Sequence, residues 1–552
     1  MVVPELRAWR AARPHLVRAA QTVRPRLARV AQAVKPRAAR SSEAVRPHVT
    51  RLTGVVKPHV ARVARAMRPR AGGLTTPQLT AVAATVGLTL AAGAATAAGP
   101  WDSSGQRTAE RVRAAAWARE GGADHGAYAG TAAQAPAPAP SAASVLTGLG
   151  AAVTTGSAPA DQALAAALDP LLRDASLGPR RGAAVVDVVT GKRLYDVGGD
   201  DSLTPASTTK IATAVAVLSA AGPDHRLATR AVLEPGSDKL VLVGGGDPTL
   251  TARKDAGGWA SLRTLADETA TALQKRHMAS VTLTYDASLF TGEAKHPIGD
   301  NDNLAPVTAL TADEGRKDDS TSGPAGRSTD PAADTARTFG GLLRERGIKT
   351  SAPGASPAKA TQRAQTLATV QSPPLSALVE RMLTNSDNDI AEALARQTAL
   401  ATGGRPSFEG GAAAIAARLG KLGLPLAGAQ FHDGSGLHRA DRLTADLLTA
   451  LLATAGSPAH PELRPVLTGL PVAGFTGTLS DRYEDGAARS GIGVVRAKTG
   501  SLTGVNTLAG TLVDADGRLL AFAFMTDGSM NQTAARAALD RMAAALAGCG
   551  CR

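Results

Sequence analysis

Hydrophobic and polar positions divide the 552-residue chain into stretches of different rhythm. Up to residue 70, apolar and basic residues mix in short blocks, each closed by a proline. Ala12-Arg13-Pro14, Val23-Arg24-Pro25, Val34-Lys35-Pro36, Val45-Arg46-Pro47, Val56-Lys57-Pro58 and Met67-Arg68-Pro69 recur at a strict period of 11. Eleven residues make close to three helical turns, so each block would present a similar face. The prolines argue against one unbroken helix. Residues 71–101 carry no charge, and Leu79 to Ala98 form an Ala- and Thr-rich apolar run long enough to span a bilayer. Residues 100–160, rich in Ala, Pro, Gly and Ser, read as an extended linker.

Beyond residue 160 the pattern is that of a folded body. "GAAVVDVVTGKRLYDVG" reads as two strands around Thr190-Gly191-Lys192, a hairpin. In "LTPASTTKIATAVAVL", Thr204 is placed to cap a helix and Pro205 suits its first position. Ile211, Val215 and Leu218 then mark one buried face. Helical spacing returns over 375–384 and 389–402. "VNTLAGTLVDADGRLLAFAFMTD" predicts a hairpin turning at Asp514 to Gly517, with a helix following over 531–547. Strands at both ends of the body with helices between predict an α+β fold, one sheet drawn from both termini.

Charge changes the picture of the first third only. Residues 1–70 hold 17 Lys and Arg against Glu5 and Glu43, a net of +15, whereas the whole chain is +14. The basic character therefore belongs to the tail, and a nucleic-acid-binding core is not indicated. The tail fits an anionic lipid surface ahead of nucleic acid or an acidic protein. Positive charge before the apolar run puts the tail in the cytoplasm and the body outside. An uncleaved signal anchor at 77–99 is expected. "AATAAG" also resembles a signal-peptidase site, so a secreted form is the alternative. Only two cysteines, Cys549 and Cys551, occur, and they are read as part of a frayed C-terminus. They allow no disulfide framework in the body and no metal site.

Three short elements could carry chemistry. Ser207 and Lys210 are three apart at a helix start, so their polar atoms can meet on one side. A desolvated lysine there can take a proton from a serine nucleophile. Ser-x-x-Lys alone is weak, and a second copy, Ser356 to Lys359, lies among Pro and Gly. Ser386-Asp387-Asn388 sits between two helices, and Lys498-Thr499-Gly500 sits on a strand entering the terminal hairpin. The order Ser-x-x-Lys, Ser-x-Asn, Lys-Thr-Gly is the three-part set of active-site serine penicillin-recognising enzymes.

With these motifs the chain resembles the D-alanyl-D-alanine carboxypeptidase/endopeptidase class of low-molecular-mass penicillin-binding proteins, class C, the S13 peptidases. "LVGGGDPTL" and "HDGSGLHRADRLTADLL" resemble further signatures of that class, and the long interval from Ser207 to Ser386 fits its inserted domain. The resemblance covers about residues 165–547. It implies a DD-peptidase-like antiparallel sheet packed with helices, with a catalytic domain at 161–221 and 372–552 and an inserted domain at 222–371. That insertion is shorter than usual for the class. The implied reaction is hydrolysis of peptidoglycan stem peptides or cross-links through an acyl-enzyme, with β-lactams as inhibitors. A β-lactamase and a non-catalytic penicillin-binding scaffold are the alternatives.

By this resemblance Ser207 is the nucleophile and Lys210 its base. Ser386 relays a proton to the leaving amine, and Asn388 holds the substrate amide and Lys210. Lys498 and Thr499 meet the substrate carboxylate, and Gly500 leaves room for the substrate strand. Backbone N–H groups of Ser207 and Ser501 form the oxyanion hole. No metal or organic cofactor is called for. Asp247 is read as a turn residue, Asp433 as a brace of its Gly-Ser-Gly loop, and His432 and His438 as ordinary histidines.

Overall fold

The computed structural model describes residues 161–351 and 356–549. The basic repeats, the expected anchor at 77–99 and the linker lie outside the described residues. Among the described residues, no helix is long and apolar enough to cross a membrane.

The central sheet draws its strands from both ends of the body. β1 (Arg180–Asp187) and β2 (Arg193–Val197) come early; β8 (Arg496–Leu502), β9 (Val505–Val513) and β10 (Leu519–Asp527) come late. Their order is β2-β1-β10-β9-β8, every pair antiparallel. Both faces are covered. Phe522 and Phe524 of β10 alternate with Ala521, Ala523 and Met525, as strand periodicity requires. The aromatic side packs on α1 (Asp161–Leu172) and the C-terminal helix α10 (Gln532–Ala547) through Leu164, Leu168, Leu539 and Met542. The alanine side packs on α8 (Ala445–Gly456) and shares one core with α2 (Thr209–Ala221), α5 (Leu375–Asn385), α6 (Asn388–Ala401) and the short α9 (Arg464–Thr468). Alanines at 184, 509, 521 and 523 leave the space those helices need for close packing.

Between α2 and α5 the chain builds a second five-stranded sheet. It comprises β3 (Ala228–Leu233), β4 (Lys239–Val243), β5 (Ser280–Asp286), β6 (Lys349–Ser351) and β7 (Gln365–Gln371), in the order β6-β5-β4-β3-β7. This sheet is mixed: β4–β5 and β5–β6 are parallel. Parallel neighbours need a crossover, supplied by α3 (Leu262–Gln274) and α4 (Pro331–Glu345). Leu265, Phe339 and Leu343 of these helices pack with Leu240, Leu242 and Leu283 in a core of their own. A small cluster, Phe290, Leu304 and Val307 with Ala393 of α6 and Phe408 of α7 (Phe408–Lys421), links this part to the helices of the first.

Four expectations need correction. The helix does not begin at Pro205: Ala206–Thr208 form a 3-10 turn, and α2 starts at Thr209. Thr204 caps nothing here, its hydroxyl accepting instead from Arg442 at 3.2 Å. Nor does α2 have a single buried face, since Thr209 through Leu218 are all buried. A helix enclosed on every side is central, and its polar residues then report function or satisfied partners rather than solvent. At the far end, Cys549 is not frayed: it packs into the α10 cluster and is disulfide-bonded.

Candidate active site

Ser207 stands in the 3-10 turn leading into α2, where the backbone is forced into an unusual shape. Ala206 adopts φ +46°, a left-handed conformation that a side chain disfavours. Two glycines make room for this turn. A Cβ at Gly436 would overlap the Ala206 carbonyl oxygen, and one at Gly500 would stand 2.7 Å from the Pro205 carbonyl and 3.1 Å from the Ser207 nitrogen. Gly500 therefore leaves space for the turn that carries Ser207. It also sets β8 beside the Ser207 amide.

The lysine of the first motif is fully buried. Lys210 Nζ lies 3.0 Å from Ser207 Oγ, 2.7 Å from Asn388 Oδ1 and 2.7 Å from the Ser435 carbonyl oxygen. Burial pulls its pKa down to about 8, against the pull of Asp433 and Glu392 in the other direction. The Asp-Gly-Ser-Gly stretch thus supplies a carbonyl to the base. Glu392, buried in α6, holds that stretch by accepting from Gly434 N and, at 2.8 Å, from Ser435 N.

The second motif sits where one helix stops and the next starts. Ser386, at φ +59°, closes α5, and Asp387 caps α6 by accepting from Ile390 N at 3.0 Å. Asn388 follows as the first residue of α6, its Nδ2 donating to the Asn303 carbonyl at 3.0 Å. That bond orients Oδ1 toward Lys210.

From β8 the third motif meets the cleft through Thr499, with Ser501 and Leu502 beside it. Lys498 is fully buried, with Nζ 2.8 Å from Ser386 Oγ, itself on the cleft wall, and 2.7 Å from the Thr499 carbonyl. Burial and the charge of Lys210 hold it well below the ordinary lysine range. It is placed to act on Ser386. Thr499 Oγ1 lies 2.8 Å from Thr478 Oγ1.

All three motifs border one cleft of about 480 Å³. Its walls also bear Asn303, Arg316 and Arg327 from the second-sheet part, and Arg482 and Arg536. The other Ser-x-x-Lys, Ser356 and Lys359, lies exposed elsewhere.

Residues 164–326 and 317–548 match the sequence pattern of the D-Ala-D-Ala carboxypeptidase 3 (S13) family. The chain belongs to that family. A carboxypeptidase of Mycobacterium tuberculosis is 36% identical over 431 residues, 76% of this chain and 91% of the relative. A D-alanyl-D-alanine carboxypeptidase of Actinomadura is 30% identical over 65% of this chain and 80% of its own length. The fold is that of penicillin-binding protein 4 from Haemophilus influenzae, which is 23% identical, with a TM-score of 0.56 over 68% of this chain and 97% of the other.

Two residues of this S13 chain, His296 and Glu392, carry no local signal and escape sequence reading. His296, from the second-sheet part, places Nε2 3.0 Å from Asp433 Oδ2. Asp433 also accepts from Gly436 N at 2.6 Å and His438 N at 2.8 Å, bracing its loop. Burial opposes this carboxylate, yet the hydrogen bonds and charge of His296 hold it below the usual range. Asp247 accepts from Thr249 N at 2.8 Å, the turn role expected for it. His432 and His438 stack with ring centroids 4.7 Å apart. Two buried groups have metal-like spacing: His296, Glu392 and Asp433; and Glu314, Asp387 and Asp389. Protein donors occupy the first, as described. Arginines face the second: Arg316 at 2.7 Å from Glu314, Arg381 at 3.1 Å from Glu314 and Arg327 at 2.9 Å from Asp389.

Proposed function

We propose that the protein is a serine-type D-alanyl-D-alanine carboxypeptidase acting on peptidoglycan stem peptides through an acyl-enzyme at Ser207. The observation that carries this reading is the hydrogen-bonded set Ser207–Lys210–Asn388 beside Lys498–Ser386 on one cleft. Ser207 Oγ attacks the carbonyl of the penultimate D-alanine, and its proton passes to neutral Lys210. The oxyanion forms against the backbone N–H groups of Ser207 and Ser501, donors typically worth about 3–4 kcal/mol each. The C–N bond then breaks as Ser386, held by Lys498, gives its proton to the departing amine and is resupplied with the one Lys210 took, which leaves Lys210 neutral again. Water attacks the ester and gives a proton to Lys210, which returns it to Ser207 Oγ as the ester C–O bond breaks and the shortened stem leaves. Cross-link cleavage is the same reaction with a larger leaving amine, so endopeptidase activity belongs to this proposal.

Residues 161–221 and 372–552 form the catalytic domain in this reading, and 222–371 the inserted one. The anchor at 77–99 and linker at 100–160 would hold the domain outside the cytoplasmic membrane, with the basic tail on the anionic inner leaflet. Charge asymmetry in the sequence supports that orientation.

The test is to incubate the full chain and its Ser207→Ala variant with a fluorescent penicillin, then map the label by mass spectrometry. Slow-releasing label on the Ser207 peptide, absent from the variant, is expected, together with D-alanine release from a stem pentapeptide. Rapid drug turnover without label would point to a β-lactamase. No label at all from folded protein would leave a non-catalytic scaffold.

A further inference from the structure

Four arginines line the catalytic cleft: Arg316, Arg327, Arg482 and Arg536. Three are neutralised. Arg316 pairs with Glu314, Arg327 with Asp389, and Arg482 grips Asp540 with two bonds of 3.0 and 2.7 Å. Among the described residues, Arg536 alone of the four has no carboxylate within ion-pair distance. Its one hydrogen bond to the protein as a donor runs from Nη2 to Ser501 Oγ, at 3.0 Å. The remaining guanidinium N–H groups are uncommitted, in a half-buried position on the first turns of α10.

A second observation points the same way. The cation that the sequence offers for the substrate carboxylate, Lys498, is fully buried and engaged by Ser386 and the Thr499 carbonyl. The polar side chains that the same strand gives to the cleft lining are hydroxyls, Thr499 and Ser501. A free carboxylate lying along these hydroxyls still lacks a counter-charge. Arg536 is the one guanidinium of the cleft left to supply it, and it is already bonded to one of them.

We propose, resting on the carboxypeptidase reading above, that Arg536 binds the carboxylate α to the leaving amine, together with the Ser501 and Thr499 hydroxyls. Guanidinium and carboxylate match as a planar fork, which gives direction as well as attraction. Arg482 is the positioning residue: its Nη2 donates to the Arg536 carbonyl at 3.0 Å while Asp540 cancels its own charge. Burial and the Arg482 charge, opposed by Asp540, pull the Arg536 pKa below the ordinary arginine range, and the negative charge of a bound carboxylate would raise it again. The specificity that follows is for peptides whose scissile amide nitrogen belongs to a residue with a free α-carboxylate. A terminal D-alanine meets that requirement, as does a cross-link whose acceptor amine bears an adjacent free carboxylate.

The experiment measures kcat/KM for a stem peptide ending in D-alanyl-D-alanine and for its C-terminal amide, on the full chain and on Arg536→Gln and Arg536→Lys. The ratio of the two values within each protein cancels any difference in the folded, active fraction. Losing a charge-assisted contact of this kind should lower the acid-to-amide ratio by about ten- to a hundredfold in Arg536→Gln. Most of the loss should appear in KM and fall on the acid substrate, and Arg536→Lys should recover part of it. An unchanged ratio in Arg536→Gln, with normal turnover by the wild type, overturns the carboxylate role alone. A wild type that cleaves neither peptide overturns the carboxypeptidase reading and this one with it.

Discussion

A lysine works as a base only when neutral, so the surroundings of Lys210 set the pH at which Ser207 becomes reactive. With its pKa brought down to about 8 by burial, acylation should rise with pH through that value and level off above it. Stopped-flow acylation by a penicillin between pH 6 and 10 would reveal the limb; a flat profile would remove Lys210 from the base's role. Lys210→Met should slow acylation by about two to four orders of magnitude. The shift also has a sign for stability. The folded value lies below the ordinary 10.5, so the unfolded chain binds more protons between about 8 and 10.5. Over that window this group's contribution to stability rises with pH, and below about 8 its cost is fully present. The pairing of Ser207 with Lys210 was legible because it is local, three residues along one chain direction. Arg536, His296 and Glu392 were not, because each reaches the site across a helix or loop packing that no spacing in the sequence encodes. Lys498 was legible as a residue but not in its partner, since Ser386 lies 112 positions away along the chain.

At the scale of elements, the nucleophile turn depends on two glycines from different parts of the chain. Gly500 of β8 and Gly436 of the Asp-Gly-Ser-Gly loop flank Ala206 and Ser207, and neither can take a Cβ without moving that turn. Gly500→Ala should therefore destabilise the fold by about 1–3 kcal/mol as overpacking. It should also cut the penicillin acylation rate at least tenfold, because the added Cβ would push first on Thr507 Oγ1, which donates to the Pro205 carbonyl, and then on that carbonyl and the Ser207 nitrogen. Gly486→Ala, where an added Cβ meets nothing within 4 Å, is the matched control and should leave both unchanged. Thermal melts and acylation rates on the pair decide the matter: equal behaviour of the two variants would deny the clasp. This is also why the helix start was misplaced. Pro205 and Thr204 carry good start signals, but the approach of β8 and the Gly436 loop overrides them and holds Ala206 left-handed. Both hairpins, α5, α6 and α10 were legible because their periods are long and uninterrupted. The second sheet was not resolved strand by strand: its parallel pairs join distant segments, and residues 287–330 have no hydrophobic period at all.

Across the whole molecule, the cleft is a joint product of both sheets' surroundings. Asn303 orients Asn388, and Arg327 bonds Asp389, the next residue of α6, at 2.9 Å. Arg327 and Asp389 side chains are only 5% and 8% exposed, so their pairing is shielded from solvent and salt. Removing one partner of such a pair strands the other charge in the interior, at a typical cost of about 3–5 kcal/mol. Arg327→Met should thus lower the unfolding free energy by that order. It should also slow acylation, because α6 presents Asn388 to Lys210 from the turn that Asp389 anchors. Asp389→Asn alone leaves Arg327 with Glu314 at 3.9 Å and should cost less. The double variant should be more stable than the sum of the two losses, because neither charge is then left without its partner. Urea unfolding of the four proteins gives the coupling directly. A coupling of several kcal/mol, with acylation falling in parallel, would mean that the inserted part is built into the catalytic geometry. A coupling below about 0.5 kcal/mol, the usual limit of additivity for independent sites, would make the second sheet a passive neighbour of the cleft.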